Sequence, residues 1–240
     1  SDVYKRQIYG SGGWSNNDGF YQNTSGWPDA SESGDRFGSA LTTGDFNNDG
    51  YDDMVVGVPG EDLGSSSQLI DAGIITVAYG SASGLTSPVN MHQYSPGVGT
   101  NSESGDLFGA SLASGDINGD GYDDFLIGSP CNDDGGNNAG QTYLILGKAS
   151  GWAMDASLSD ADASFIGESG DDYSGEVISG VGDVNGDGYD DFLIGAPQND
   201  DGGDGRNSRI VFTPTKSGTH KIMCGAYSSN TAVSYTHLRA

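Results

Sequence analysis

Positive charge is what this 240-residue chain has least of. Nine Lys and Arg stand against 34 Asp and Glu, a formal net charge of −25 at pH 7. Nucleic-acid binding needs a basic patch, so that class is excluded. Apolar runs are short: none approaches the roughly 20 residues of a membrane-spanning helix. Cysteine is scarce. Cys131 and Cys224 sit in neither a CxxC nor another metal spacing, which sets thiolate metal chemistry aside. The two could pair or both be free. Catalytic motifs are missing as well, with no Gly-x-Ser-x-Gly, no HExxH and no P-loop. Of three histidines, His92 is expected alone in a loop, and His220 on a strand face. Acids are abundant enough to offer a carboxylate pair for glycoside hydrolysis, but the clustered ones have another use. The chain is read as no enzyme.

Glycine, by contrast, is plentiful, at 41 residues without a collagen period; it marks many tight turns. A nine-residue motif then recurs three times. DFNNDGYDD runs from Asp45 to Asp53, DINGDGYDD from Asp116 to Asp124 and DVNGDGYDD from Asp183 to Asp191, with starts 71 and 67 residues apart. Such a period points to a repeat architecture. Each copy reads as an oxygen cage. Positions one, three and five supply side-chain oxygens: Asp45, Asn47 and Asp49; Asp116, Asn118 and Asp120; Asp183, Asn185 and Asp187. Gly at position six allows a positive φ. Tyr51, Tyr122 and Tyr189 at position seven can offer a carbonyl, and Asp53, Asp124 and Asp191 at position nine a closing carboxylate. Hard, charged oxygen ligands suit Ca²⁺ better than a thiophilic metal. Three Ca²⁺ sites are therefore expected. An EF-hand would need a bidentate Glu at position twelve; Val56, Ile127 and Ile194 stand there, inside short β-rich runs.

Around the loops the same period continues. Gly10, Gly80 and Gly147, each ending a short apolar run, are 70 and 67 apart. Residues 8–30 read as the remnant of a preceding repeat and its loop. The Phe37-Gly38 pair is expected to open a strand, and Met54–Pro59, Ala72–Gly80, Phe125–Pro130, Gln141–Gly147 and Phe192–Pro197 read as strands bounded by turn residues. Repeat three has Ser174-Gly175 where Phe-Gly stood, with one extra residue before its loop. The ends differ from the rest. Residues 1–7 and 233–240 resemble translated sequencing-adaptor read-through and are set aside, so the chain is expected to be a fragment.

These residues together resemble the FG-GAP repeat of the integrin α-subunit β-propeller and its bacterial relatives. The carriers are Phe37-Gly38 with Gly57-Val58-Pro59, Phe108-Gly109 with Gly128-Ser129-Pro130, and Gly175 with Gly195-Ala196-Pro197, an Asp-rich loop standing between each pair. The resemblance implies an all-β fold: a partial propeller of about three blades, each of four antiparallel strands. The repeats would span 31–100, 101–166 and 167–203, and Ca²⁺ at positions one, three, five, seven and nine of each loop would brace its blade. Radial repetition leaves only short sheet edges, and each blade buries its faces on its neighbours.

After Gly203 the composition changes. Arg206, Arg209, Lys216 and Lys221 lie close together, whereas only Arg36 and Lys148 occur between Gln7 and Arg206. Residues 204–232 read as a short β-hairpin tail and resemble the end of the bacterial pre-peptidase C-terminal domain, through Asp200-Asp201-Gly202-Gly203, Asn207-Ser208, Phe212-Thr213-Pro214 and Ser217-Gly218-Thr219. Two readings stand, a chimeric join at the Asp-Asp-Gly-Gly stretch or a divergent last strand of blade three. Functionally, the resemblances imply an extracellular or cell-surface propeller segment serving adhesion or binding of a protein or glycan ligand, packed on neighbouring blades of its parent chain. The alternative is an accessory region of a secreted hydrolase, a peptidase or phospholipase. Ligand contact is expected from loops such as 60–68 or 133–139.

Overall fold

In a computed structural model of the chain, the described residues are 5–8, 17–20, 22, 30–64, 69–93, 102–152, 156–157 and 161–198. Among them there is strand and turn but no helix. Thirteen strands follow in order: β1 (Lys5–Ile8), β2 (Asn17–Phe20), β3 (Leu41–Gly44), β4 (Asp53–Val58), β5 (Ile74–Tyr79), β6 (Thr86–His92), β7 (Ser111–Gly115), β8 (Asp124–Ser129), β9 (Gln141–Ile145), β10 (Ala156–Ser157), β11 (Ala163–Ile166), β12 (Val177–Gly182) and β13 (Asp191–Gly195). Strands β1 and β2 form a two-stranded antiparallel pair; β1 uses Lys5 to Gln7, residues set aside above as adaptor-like.

Blade one is the antiparallel meander β3-β4-β5-β6, and β10 adds to β6 in parallel as a fifth, two-residue strand. Blade two is β7-β8-β9-β11, four antiparallel strands. Blade three shows β12 and β13 among the described residues. The architecture is a partial β-propeller. Each acidic loop joins the first two strands of its blade. The extra residue of repeat three becomes a β-bulge, because the β12–β13 register shifts between Gly180 and Gly182.

Alternation along each strand explains the stacking. On β8, Phe125 and Ile127 face blade one, in a core with Phe46, Val55, Ile75, Val77 and Tyr143. Leu126 between them faces blade three, in a second core with Leu144, Phe165, Ile178 and Ile194. On β4, Val56 and Val58 turn the other way and pack with Phe37 and Ile74. Strands β4, β5, β8 and β9 are buried on both sides, which is why these runs read as continuously apolar.

The FG and GAP glycines explain themselves in the same frame. In each repeat the N–H of the first donates to the carbonyl of the second: Gly38 to Gly57 at 2.9 Å, Gly109 to Gly128 at 3.0 Å and Gly175 to Gly195 at 3.0 Å. Gly38, Gly109 and Gly175 have φ of 80°, 85° and 86°, which a side chain rarely adopts. A Cβ on Gly57 would strike the Gly109 carbonyl, and one on Gly128 the Gly175 carbonyl. The motif is thus a close backbone approach, within a blade and between blades.

Some local expectations are corrected. Phe37-Gly38 lies in a turn, and the strand opens at Leu41, since positive φ at Gly38 breaks the extended run. His92 ends strand β6 instead of lying alone in a loop. Neither β6, which contains Pro88, nor β11 was expected from the apolar pattern. Cys131 is a free, half-buried thiol. Cys224, the Asn207–Thr231 hairpin, residues 65–68 of the 60–68 loop and the last eight residues lie outside the described residues.

Candidate metal centres in the three acidic loops

Each loop is wound by its own side chains. In loop one, Asp45 accepts from the N–H of Asp49 at 2.9 Å and of Gly50 at 2.8 Å. Asn47 Oδ1 accepts from the Asp49 N–H at 2.9 Å, and Asp49 Oδ1 from the Tyr51 N–H at 3.0 Å. Loop two repeats all four bonds, through Asp116, Asn118 and Asp120. In loop three, Asp183 accepts from Gly186, Asp187 and Gly188, and Asp187 from Tyr189. Gly50, Gly121 and Gly188 at position six have φ of 89°, 88° and 91°. Position four is left-handed too, in Asn48, Gly119 and Gly186, at 55°, 69° and 76°; Asn and Gly are the residues that tolerate this.

Position nine closes the loop onto the blade. Asp53 Oδ2 accepts from the Phe46 N–H at 3.1 Å and Oδ1 from the Gly80 N–H at 2.8 Å. Asp124 accepts from Ile117 and Asn118 with Oδ2, and from Gly147 with Oδ1 at 2.8 Å. The periodic glycines of the sequence are therefore the third-strand partners of the closing aspartates. Asp191 Oδ2 accepts from the Val184 N–H at 3.0 Å. Burial pushes the Asp53 carboxyl up to about 6, helped by the charges of Asp49 and Asp45 and opposed by the Gly80 N–H. Burial raises Asp124 to about 7, with Asp120 adding repulsion. Asp183 moves the other way, held low by backbone N–H bonds, chiefly from Gly188, on an exposed loop.

The donor set has the chemistry of a hard-cation site: five candidate oxygens stand in nine residues, and each sp² oxygen keeps a second lone pair beyond the N–H it accepts. Among the described residues it is Glu32, Asp35 and Glu61, and not three acids of one loop, whose oxygens lie within 4.8 Å of one another. A nearby dication would offset the repulsion that loads Asp53 and Asp124.

Three features were missed by sequence reasoning. The first is position eight. Asp123 of loop two reaches back to loop one: its Oδ2 accepts from the Asp45 N–H at 2.8 Å, and its own N–H donates to the Asp45 carbonyl at 3.2 Å. Asp190 does the same to Asp116, at 3.2 and 3.0 Å. The second is a buried aspartate ahead of each FG turn. Asp35, Asp106 and Asp172 accept from the N–H of Glu32, Glu103 and Ser169; Ser-Gly-Asp was its signal in repeats one and two, while in repeat three Asp172 follows that tripeptide. The third is a carboxylate group beside it in repeat one. Glu32, Asp35 and Glu61 each place an oxygen within 4.8 Å of the others, and Gln22 Nε2 donates to Glu61 at 2.8 Å. In repeat two, Asn132 takes the Glu61 position and donates to Asp106. The loop at 133–139 reaches blade three: Asn138 Nδ2 donates to Asp171 at 3.1 Å, and the Asn137 carbonyl accepts from its N–H.

Fold and loops together define a propeller built of repeats that each carry an Asp-rich loop between their first two strands. The FG-GAP repeat model matches residues 37–77, 108–145 and 169–212, half of the chain, and the chain belongs to the FG-GAP repeat family. The third match extends beyond Gly203. Among curated proteins the chain is 30% identical over 180 residues to integrin alpha-PS2 of Drosophila melanogaster, covering 73% of this chain and 11% of that protein. It is 29% identical over 192 residues to integrin alpha-V of Gallus gallus, covering 77% and 16%. It is 29% identical over 189 residues to phosphatidylinositol-glycan-specific phospholipase D of Dictyostelium discoideum, covering 75% and 20%. The chain spans about a tenth to a fifth of the length of these relatives. No helix among the described residues is long and apolar enough to cross a membrane.

Proposed function

We propose that this chain is a calcium-braced, extracellular or cell-surface propeller segment whose role is adhesion or binding of a protein or glycan ligand. The observation that carries it is the threefold oxygen loop, in which position one accepts from the N–H groups of positions five and six each time, in a chain with three FG-GAP matches. Asp45, Asn47, Asp49, Tyr51 and Asp53 would hold one Ca²⁺, and the corresponding residues of the other loops two more. The ion would supply positive charge where three or four carboxylates crowd, and tie the first strand of a blade to the second. The chain's own part is to hold those oxygens in place: position six turns the loop and position nine fastens it to the third strand.

Calorimetric calcium titration and thermal melting test the reading. Calcium should raise the melting temperature and EGTA should lower it. An unchanged midpoint would count heavily against calcium bracing. Immobilised extracellular proteins and glycans, probed with the chain in calcium or in EGTA, test the binding role; retention dependent on calcium is the expected result.

A second reading is favoured by the phospholipase D relative. In it the segment is an accessory region of a secreted hydrolase. A catalytic domain on the same open reading frame would favour it, and further FG-GAP repeats without one would favour adhesion.

A further inference from the structure

The acidic loops are joined to one another by the aspartate at position eight. Asp123 and the Asp45 backbone exchange two hydrogen bonds across blades one and two, and Asp190 and Asp116 do so across blades two and three. The space for this carboxylate is made by the glycine before position one. A Cβ on Gly44 would lie 2.8 Å from Asp123 Oδ2, and one on Gly115 would lie 2.8 Å from Asp190 Oδ2. Gly182 precedes loop three, and a Cβ there would meet nothing within 4 Å. The residue gripped each time is position one, whose side chain winds the loop and is a ligand candidate. A buried plug accompanies the first junction: Phe46, at position two of loop one, lies 5.1 Å from the Phe125 ring and 6.5 Å from the Trp152 ring of the next repeat.

We infer that Asp123 and Asp190 are positioning residues that couple each loop to the one before it, so that blade two sets the cation affinity of loop one and blade three that of loop two. The inference rests on the calcium reading of the loops. The grip acts on the backbone of Asp45 and Asp116 and needs no direct contact with the ion.

Calcium titration of single loops tests it. In the full chain carrying Asp120→Ala and Asp187→Ala, loop one is left as the intact binding loop. Adding Asp123→Ala should weaken its calcium affinity about tenfold, the worth of roughly one good hydrogen bond. Adding Asp123→Asn should recover most of this, because an amide oxygen accepts the same N–H. Adding Asp190→Ala should leave loop one unchanged. An affinity unmoved by Asp123→Ala overturns the coupling, and an Asn variant as weak as the Ala variant overturns a positioning role. Should Asp123→Ala not fold, Asp190→Ala in an Asp49→Ala, Asp187→Ala background asks the same of loop two, on the more exposed blade. The unaltered chain separates the two claims. No calcium heat from it overturns the calcium reading and the coupling with it, whereas binding without coupling overturns the coupling alone.

Discussion

Loops two and three share eight of nine residues, differing only at Ile117 against Val184, yet they sit in opposite surroundings. Asp124 is fully buried, receives N–H bonds from Ile117, Asn118 and the third-strand Gly147, and is pushed up to about 7 by burial. Val184 of loop three is 50% exposed and Asp183 is held low by its own loop. Strand β12 repeats the contrast, with Val177 62% exposed while Ile178 packs on blade two. The nine residues wind the loop, but the third strand and the following blade decide whether its carboxylates are buried. Motif identity therefore does not guarantee equal affinity.

The largest test of that contrast lies in the two cores. Phe125 is fully buried against Phe46 and Trp152. Phe125→Ala should cost about 3–5 kcal/mol in urea unfolding. Phe192 occupies the same register in β13 and is only half-buried, against Phe165, so Phe192→Ala should cost about half as much. Equal losses would mean that blade three is as tightly packed in solution as blade two.

Calcium sharpens the comparison next. At free calcium about 100-fold above Kd, each occupied site adds up to about 2.7 kcal/mol. Asp120→Ala should remove about that increment, measured as the calcium-dependent shift in unfolding midpoint. Asp187→Ala should remove less at the same calcium, because the closing Asp191 of loop three is only half-buried where Asp124 is fully buried. Equal shifts would place the loops on one footing despite their surroundings.

A smaller effect comes from pH. Asp106 is buried and raised to about 7, by burial first, with Glu103 and Asp133 adding repulsion and the Glu103 N–H and Asn132 amide opposing. For an acid raised in the fold, the native state binds the extra proton. The penalty is absent below the unfolded value near 4, grows as pH rises, and is complete above about 7. Asp106→Asn should therefore stabilise the chain by on the order of 1–2 kcal/mol at pH 7.5, and the gain should vanish towards pH 4. Melting of both proteins in EGTA across that range checks the sign; a gain that grew on acidification would refute it.

Much of this contrast was legible beforehand, and what was not has a physical reason. The loops, their left-handed glycines and the strands β4, β5, β8, β9 and β13 follow from apolar runs and turn residues, signals local in the chain. The glycines at 80 and 147 were read as a period, but their bonds to Asp53 and Asp124 join the end of a blade's third strand to the start of its second, 27 and 23 residues apart in the chain. Position eight was read as a bystander acid because its partner, Asp45 for Asp123, lies 78 residues away. Strand β6 was hidden by Pro88 and polar Asn90, whose Oδ1 accepts from Thr76 Oγ1 of the neighbouring β5, 14 residues back in the chain.

The smallest effect tests the open face itself. Val177 pairs with Gly195 at the edge of blade three and points away from blade two, 62% exposed. On β8, the residue with that outward direction is Leu126, fully buried because blade three covers it. Replacing an exposed apolar side chain in a strand removes little surface from the core, so Val177→Ser should change stability by no more than about 0.5 kcal/mol. Leu126→Ala, its buried counterpart, should cost about 2–5 kcal/mol. If Val177→Ser instead costs well over 1 kcal/mol, something covers this face in solution, and the difference between blades two and three would be one of degree. Repeating the pair of variants across protein concentration then tells whether the cover is a second copy, since only that loss would deepen as the chain is concentrated.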